Sequence, residues 1–289
     1  MKKLILIILS IVCSTETIAQ NKVLYFQTSW GFEGTPEAFI KKAKASGYDG
    51  IEIWSPTNKK EQIRISKLLK EENMKVIYLC GSDPNLSFEK GLAVYKKYLK
   101  NTFELNPIAI NSHTGSDFYS FNQNMAFLEE AKKLSKQYEI PIYHETHRGR
   151  FSYSLPKTIE YLEKDKDLVL TLDVSHWMVV HESLLIKRTD LLKKIINRTK
   201  HIHARVGFEE GPQVNDPSAP EWKTVVERHI DIWSSVIQKI RSEKKMPTIT
   251  TEFGPPNYMP TLPISQEPTS DQWLANLYIM KMLKKRLNE

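Results

Sequence analysis

Between residues 23 and 287 the chain alternates eight times between a short apolar or β-branched run and an amphipathic helical pattern. The runs are VLYF (23–26), GIEIW (50–54), KVIYL (75–79), IAIN (108–111), PIYHE (141–145), LVLTLD (168–173), KHIHA (200–204) and TITTEF (248–253). PEAFIKKAKAS, KEQIRISKLLKEE, FEKGLAVYKKYLKNTF, MAFLEEAKKLSKQY, LPKTIEYLEK, LLIKRTDLLKKIIN, WKTVVERHIDIWSSVIQKIRSE and DQWLANLYIMKMLKKRL follow them in turn. Strands separated by helices pair in parallel, because the crossover returns each strand in the same direction. Eight such units in about 250 residues match a (β/α)8 TIM barrel, so the sequence predicts an α/β fold with a single domain. A doubly wound open sheet would need a glycine-rich phosphate turn after its first strand. That position reads QTSWGFEGT, with no GxGxxG.

The first nineteen residues are expected to lie outside this fold. Lys2 and Lys3 precede the apolar LILIILSIV, which is too short to span a bilayer, and Thr17 and Ala19 are small residues placed for a cut after Ala19. The pattern predicts a signal peptide over 1–19 and an exported, periplasmic or extracellular protein. Cys13 raises lipid attachment as an alternative, against which stands the bulky Val12 before it. Beyond the cut a single cysteine, Cys80, remains, so no intramolecular disulfide staples the 20–289 chain. Its lysines are spread along helical segments rather than clustered with aromatics, which points to solvated faces and not to nucleic acid. No later segment is apolar enough to cross a membrane. A homo-oligomer is compatible with the sequence but not dictated by it.

In a barrel of this kind all strand C-termini meet on one face, which carries the chemistry. Strand 5 ends in Glu145, strand 6 in Asp173, strand 7 in His203 and strand 8 in Glu252. Strand alternation places Tyr143, Glu145 and His147 on one side; likewise Thr171 with Asp173, His201 with His203 and Arg205, and Thr250 with Glu252. Three carboxylates meeting this closely would repel and raise one another's pKa. A divalent cation removes the conflict, and three carboxylates with one imidazole favour Mn2+, with Mg2+, Co2+ or Zn2+ as other occupants. His113, closing Ile-Asn-Ser-His, is either a substrate contact or a hydrogen-bonded core residue. Glu52 and Trp54 end strand 2, where an aromatic can stack on a sugar face. The strand 7 loop, VGFEEGPQVNDPSAPEW, has the length of a lid or substrate wall and offers Gln213 to a ligand. Arg148 and Arg150 either clamp a ligand or hold their own loop.

The succession GYDGIEIW, HETHRGR, LDVSHW, HIHAR and TTEFG resembles the xylose isomerase-like TIM barrels, across essentially the whole chain past residue 19. That superfamily holds sugar isomerases and epimerases, dehydratases and endonuclease IV. The ketose 3-epimerase branch implies one divalent metal on Glu145, Asp173, His203 and Glu252, with Glu145 and Glu252 as the acid–base pair. It also implies that His176, three residues after the aspartate, touches substrate. Phe151 stands where that branch has a second acidic contact, and Arg205 lies closer to the metal histidine than the branch's arginine. The expected activity is a metal-dependent isomerase or epimerase moving a proton next to the carbonyl of a keto-sugar or related polyol. The alternatives are a dehydratase or lyase on a keto-sugar or cyclitol, an endonuclease IV-like phosphodiesterase, and a non-catalytic sugar-binding barrel.

Overall fold

The computed structural model describes residues 22–288; the expected signal peptide, with Cys13 and the cut after Ala19, lies outside them. Eight parallel strands close on themselves in sequence order, β8 pairing with β1. They are β1 (Leu24–Thr28), β2 (Gly50–Trp54), β3 (Lys75–Gly81), β4 (Ala109–His113), β5 (Ile142–Glu145), β6 (Leu170–Leu172), β7 (Thr199–Ala204) and β8 (Thr248–Thr251). Around them run α1 (Pro36–Ala45), α2 (Lys59–Glu71), α3 (Phe88–Phe103), α4 (Phe121–Tyr138), α5 (Leu155–Lys164), α6 (Ser175–Val180), α7 (Thr189–Ile196), α8 (Lys223–Ser242) and α9 (Gln272–Arg286).

Local chemistry sets several helix starts. Thr35 caps α1 by accepting from the Ala38 N–H, with Pro36 at its first position. Ser120 and Gln123 form a reciprocal capping box on α4. Helices and strands then bury a continuous apolar layer between them, with Trp177, Trp233 and Phe253 fully enclosed. The inside of the barrel is different. Leu24, Phe26, Ile77 and Ala109 plug its N-terminal end, with Tyr143 against them. Above this plug the interior turns polar, with Glu52, Asn111, Thr171, His201 and Thr250 all fully buried.

Two expectations need correction. The first half of LLIKRTDLLKKIIN is not helical: Leu185 sits in the left-handed region (φ 54) and α7 starts only at Thr189. The predicted sixth strand, 168–173, is paired only over Leu170–Leu172. There the register against β7 jumps, Leu170 facing Thr199 and Thr171 facing His201, so Lys200 is skipped. That bulge has a functional result, because it brings His203 level with Asp173 at the mouth.

Gly50 shows how tightly the plug is built. A Cβ there would lie 2.3 Å from the Phe26 ring and 2.6 Å from the Lys75 carbonyl oxygen. Gly50→Ala is expected to cost about 1–3 kcal/mol through overpacking, lowering Tm by roughly 2–4 °C per kcal/mol for a domain of this size. Thermal unfolding checks this, and an unchanged Tm would mean that both Phe26 and the Lys75 backbone have room to move.

Candidate metal centre and sugar site

Where β5 to β8 end, Glu145, Asp173, His203 and Glu252 converge so that one donor atom from each lies within 4.8 Å of the others. All four are buried. His203 directs Nδ1 at this group, 2.8 Å from Glu252 Oε2 and 3.4 Å from Glu145 Oε2. Its other nitrogen, Nε2, lies 2.9 Å from Glu52 Oε1. The Glu52 carboxylate is completed by His201 Nε2 at 3.1 Å, the Thr250 hydroxyl and the Asn111 amide. Asn111 Nδ2 also donates to Glu145 Oε2 at 2.9 Å, and His113 Nε2 meets the same oxygen at 2.8 Å. Asp173 accepts from the Ser175 N–H and hydroxyl through Oδ1, and from the Arg205 guanidinium through Oδ2.

The electrostatics are out of balance in a way that indicates a missing positive charge. Four carboxylates, Glu52, Glu145, Asp173 and Glu252, are buried around one permanent cation, Arg205, so negative charge is in surplus even with the His203 imidazole counted as a second cation. Burial, reinforced by Glu252 and Glu145, pushes Asp173 up to about 6 even though Arg205 pulls it down. Burial opposes a charge on His203 as well, yet Glu252, Glu52 and Glu145 hold its imidazole well above the usual histidine range. Glu145 is also penalised by burial but is kept far below the usual carboxylate range by His113 and His203. Three carboxylate donors and one imidazole, with a surplus of negative charge, fit a hard or borderline divalent ion such as Mn2+, Mg2+, Co2+ or Zn2+. Within the same interior Asn111 Oδ1, Thr171 Oγ1 and His176 Nδ1 are buried without partners, as expected where an ion or ordered water completes the network.

Above the cluster lies a cavity of about 190 Å3. Glu145 and Glu252 form part of its floor, with His113, His147, Arg205, Trp54, Trp30 and Tyr258 around them. Trp30 and Tyr258 pack edge to face at 4.8 Å, and the Arg205 guanidinium lies 4.6 Å from the Tyr258 ring. His147 packs at a tilt against both His113 and His176, at 4.8 and 4.0 Å between centroids.

Three residues expected at the substrate are not among those that line this cavity. Glu52 is fully buried beneath the cavity; it faces inward one layer too deep and is spent on His203 and His201. Gln213 is buried, and its amide bonds the Gly254 backbone at 2.7 and 3.2 Å, tying the β7–α8 loop to the end of β8. The same loop is pinned by Val214 N–H to the Val206 carbonyl at 2.9 Å, which makes it a fixed wall. His176 is fully buried, its Nε2 held by Arg205 at 2.8 Å. Arg150 ties its loop to the one after β3 by donating to the Ser82 carbonyl at 2.8 Å, and Phe151 is packed against Tyr161 and His144. Sequence reasoning missed Asn111, Ser175, Trp30 and Tyr258. Asn111 could have been found, since it lies two residues before His113 on the same face of β4; Trp30 and Tyr258 come from irregular loops that carry no periodic signal.

The family model of the xylose isomerase-like TIM barrel matches residues 40–232. No curated protein matches the sequence. Among solved structures, D-allulose 3-epimerase from Methylomonas sp. superposes with TM-score 0.64 at 14% identity, covering 92% of this chain and 97% of that one. The 3-keto-D-glucoside 4-epimerase of E. coli gives 0.59 at 13%, covering 91% and 100%. Endonuclease IV from Thermus thermophilus gives 0.58 at 13%, covering 92% and 99%. At these identities the superpositions establish a shared fold and leave the reaction open.

Proposed function

The chain belongs to the xylose isomerase-like TIM barrel family, and from that premise we propose that it is a divalent-metal-dependent sugar isomerase or epimerase. Its reaction is proton transfer next to the carbonyl of a keto-sugar or related polyol. The observation that carries this is the pairing of Glu145 and Glu252: both belong to the four-donor cluster, and both also border the cavity.

Glu145, Asp173, His203 and Glu252 would hold the ion. When bound, it would polarise the substrate carbonyl and stabilise the negative charge that develops as the neighbouring C–H bond breaks. One of Glu145 and Glu252 removes that proton, and the other returns one. His113, 2.8 Å from Glu145 Oε2 and partly open to the cavity, orients that carboxylate and relays its proton outward. Arg205 and Tyr258 bind hydroxyl oxygens, while Trp30 offers an apolar face to the C–H side of the ring. Ser175 and Arg205 fix Asp173, so the cluster keeps its shape through the cycle.

Incubating the Mn2+-loaded protein with a panel of keto-sugars in D2O tests this. Deuterium is expected at the carbon next to the carbonyl, accompanied by an epimer or isomer. Loss of water from the same intermediate would reassign the enzyme as a lyase, which shares the first step. Binding without exchange would make it a sugar-binding barrel, and cleavage of a DNA phosphodiester would place it with the nucleases.

We also propose that the protein is exported, on the strength of the 1–19 pattern. Protein recovered from its native host should begin at Gln20 by N-terminal sequencing. Intact Met1 in the cytoplasm would refute export. Among the described residues, no helix is long and apolar enough to cross a membrane.

A further inference from the structure

The cavity over Glu145 and Glu252 is small. Its 190 Å3 falls below the roughly 300–1,000 Å3 usual for small-molecule sites, so it takes little more than one sugar ring. Binding energy for the rest of a substrate must come from beside it. On the β2 side, Trp54 forms part of the cavity wall and also part of a neighbouring groove of about 440 Å3, between the β1–α1 and β2–α2 loops. The indole is 48% exposed and stands roughly perpendicular to the His113 ring, 5.3 Å away between centroids, so about half of its surface is open to a ligand.

The groove differs in chemistry from the cavity it adjoins. Phe39, Ile51, Ile53 and Ile65 line it, and all four belong to the buried apolar layer. Asn58, on its rim, already spends its side-chain oxygen capping α2. Ser55 is 4% exposed, and its Oγ is buried without a partner. A second sugar would bring several hydroxyls, each needing a partner to offset its lost hydration. Ser29, Thr57 and Glu61 also line the groove, but Phe39, Ile51, Ile53 and Ile65 contribute only carbon, and that apolar share matches a flat apolar group better.

We infer, building on the sugar chemistry proposed above, that the substrate is a glycoside rather than a free sugar. Its sugar ring occupies the cavity over Glu145 and Glu252, and an apolar, aromatic aglycone stacks on Trp54 in the groove, with Ser55 placed to meet a polar substituent on it.

Calorimetric titration of the Mn2+-loaded protein with phenyl glucoside, methyl glucoside and cellobiose tests the assignment. Phenyl glucoside is expected to bind about tenfold tighter than methyl glucoside, the scale of one well-placed aromatic contact. In Trp54→Ala that ratio should collapse towards unity. Thermal unfolding of the variant guards against misfolding, and a half-exposed side chain is a safe truncation. Equal affinity for the phenyl and methyl compounds would overturn the inference, as would a phenyl preference that survives in Trp54→Ala. Cellobiose binding as tightly as phenyl glucoside would also overturn it, by assigning the groove to a second sugar. None of the three probes carries a ketone, so the result does not depend on turnover. A phenyl preference without deuterium exchange would leave the groove standing and sink the proposed chemistry; exchange without the preference would do the reverse.

Discussion

Glu252→Gln, assayed with saturating Mn2+ on whichever keto-sugar exchanges best, should lose roughly two to four decades of turnover, the range general acid–base catalysis supplies. Glutamine keeps the length and one ligating oxygen of Glu252 but cannot accept and return a proton. The fold should survive. Glu252 lies just past the last residue of β8, at the mouth, and its neighbours His203 and Arg205 retain other carboxylate partners in Glu145, Glu52 and Asp173. Because the ion loses one charged donor, the comparison needs a metal titration on both proteins, with turnover read at each plateau. The loss should fall on kcat, since Trp30, Tyr258 and His147 still shape the cavity. Full turnover in the metal-saturated variant would rule out a two-glutamate exchange and leave Glu145, with His113 behind it, as the sole proton-handling pair.

The second large effect concerns the ion and the residue beneath it. Stripped protein refilled with Mn2+ at about one hundred times its Kd should gain about 2.7 kcal/mol of stability, which corresponds to roughly 5–10 °C in Tm at this chain length. A protein whose Tm ignores Mn2+, Mg2+, Co2+ and Zn2+ alike would have no such centre. Glu52→Gln then asks how the centre is held. Glu52 does not belong to the four-donor group, yet its Oε1 lies 2.9 Å from His203 Nε2 while Nδ1 of the same ring faces Glu252 and Glu145. A carboxylate behind a ligating imidazole fixes the ring's tautomer and orientation and raises its basicity; losing one typically weakens metal affinity about 10–100-fold. Calorimetric titration of the variant should show that loss with Asp173, Glu145 and Glu252 intact. Unaltered affinity would reduce Glu52 to a filler of the barrel interior.

The sequence alone determined the architecture and the four converging donors. Eight alternating units leave few closed solutions, and the carboxylates and imidazole at 145, 173, 203 and 252 stand at the ends of their strands, where alternation turns them inward. Those are local properties, written in spacing. What local spacing cannot carry is depth, partnership and the course of irregular backbone. Glu52 and Trp54 end the same strand two residues apart, but one is fully buried under the centre and the other is half exposed at its rim, because barrel stagger decides which layer each reaches. Gln213 looked like a loop residue free to meet a sugar, until the fold gave its amide to Gly254. Trp30 and Tyr258 reach the cavity from loops with no period to read. The β7 bulge at Lys200, which sets His203 beside Asp173, exists only in the pairing of two strands and leaves no mark on either one.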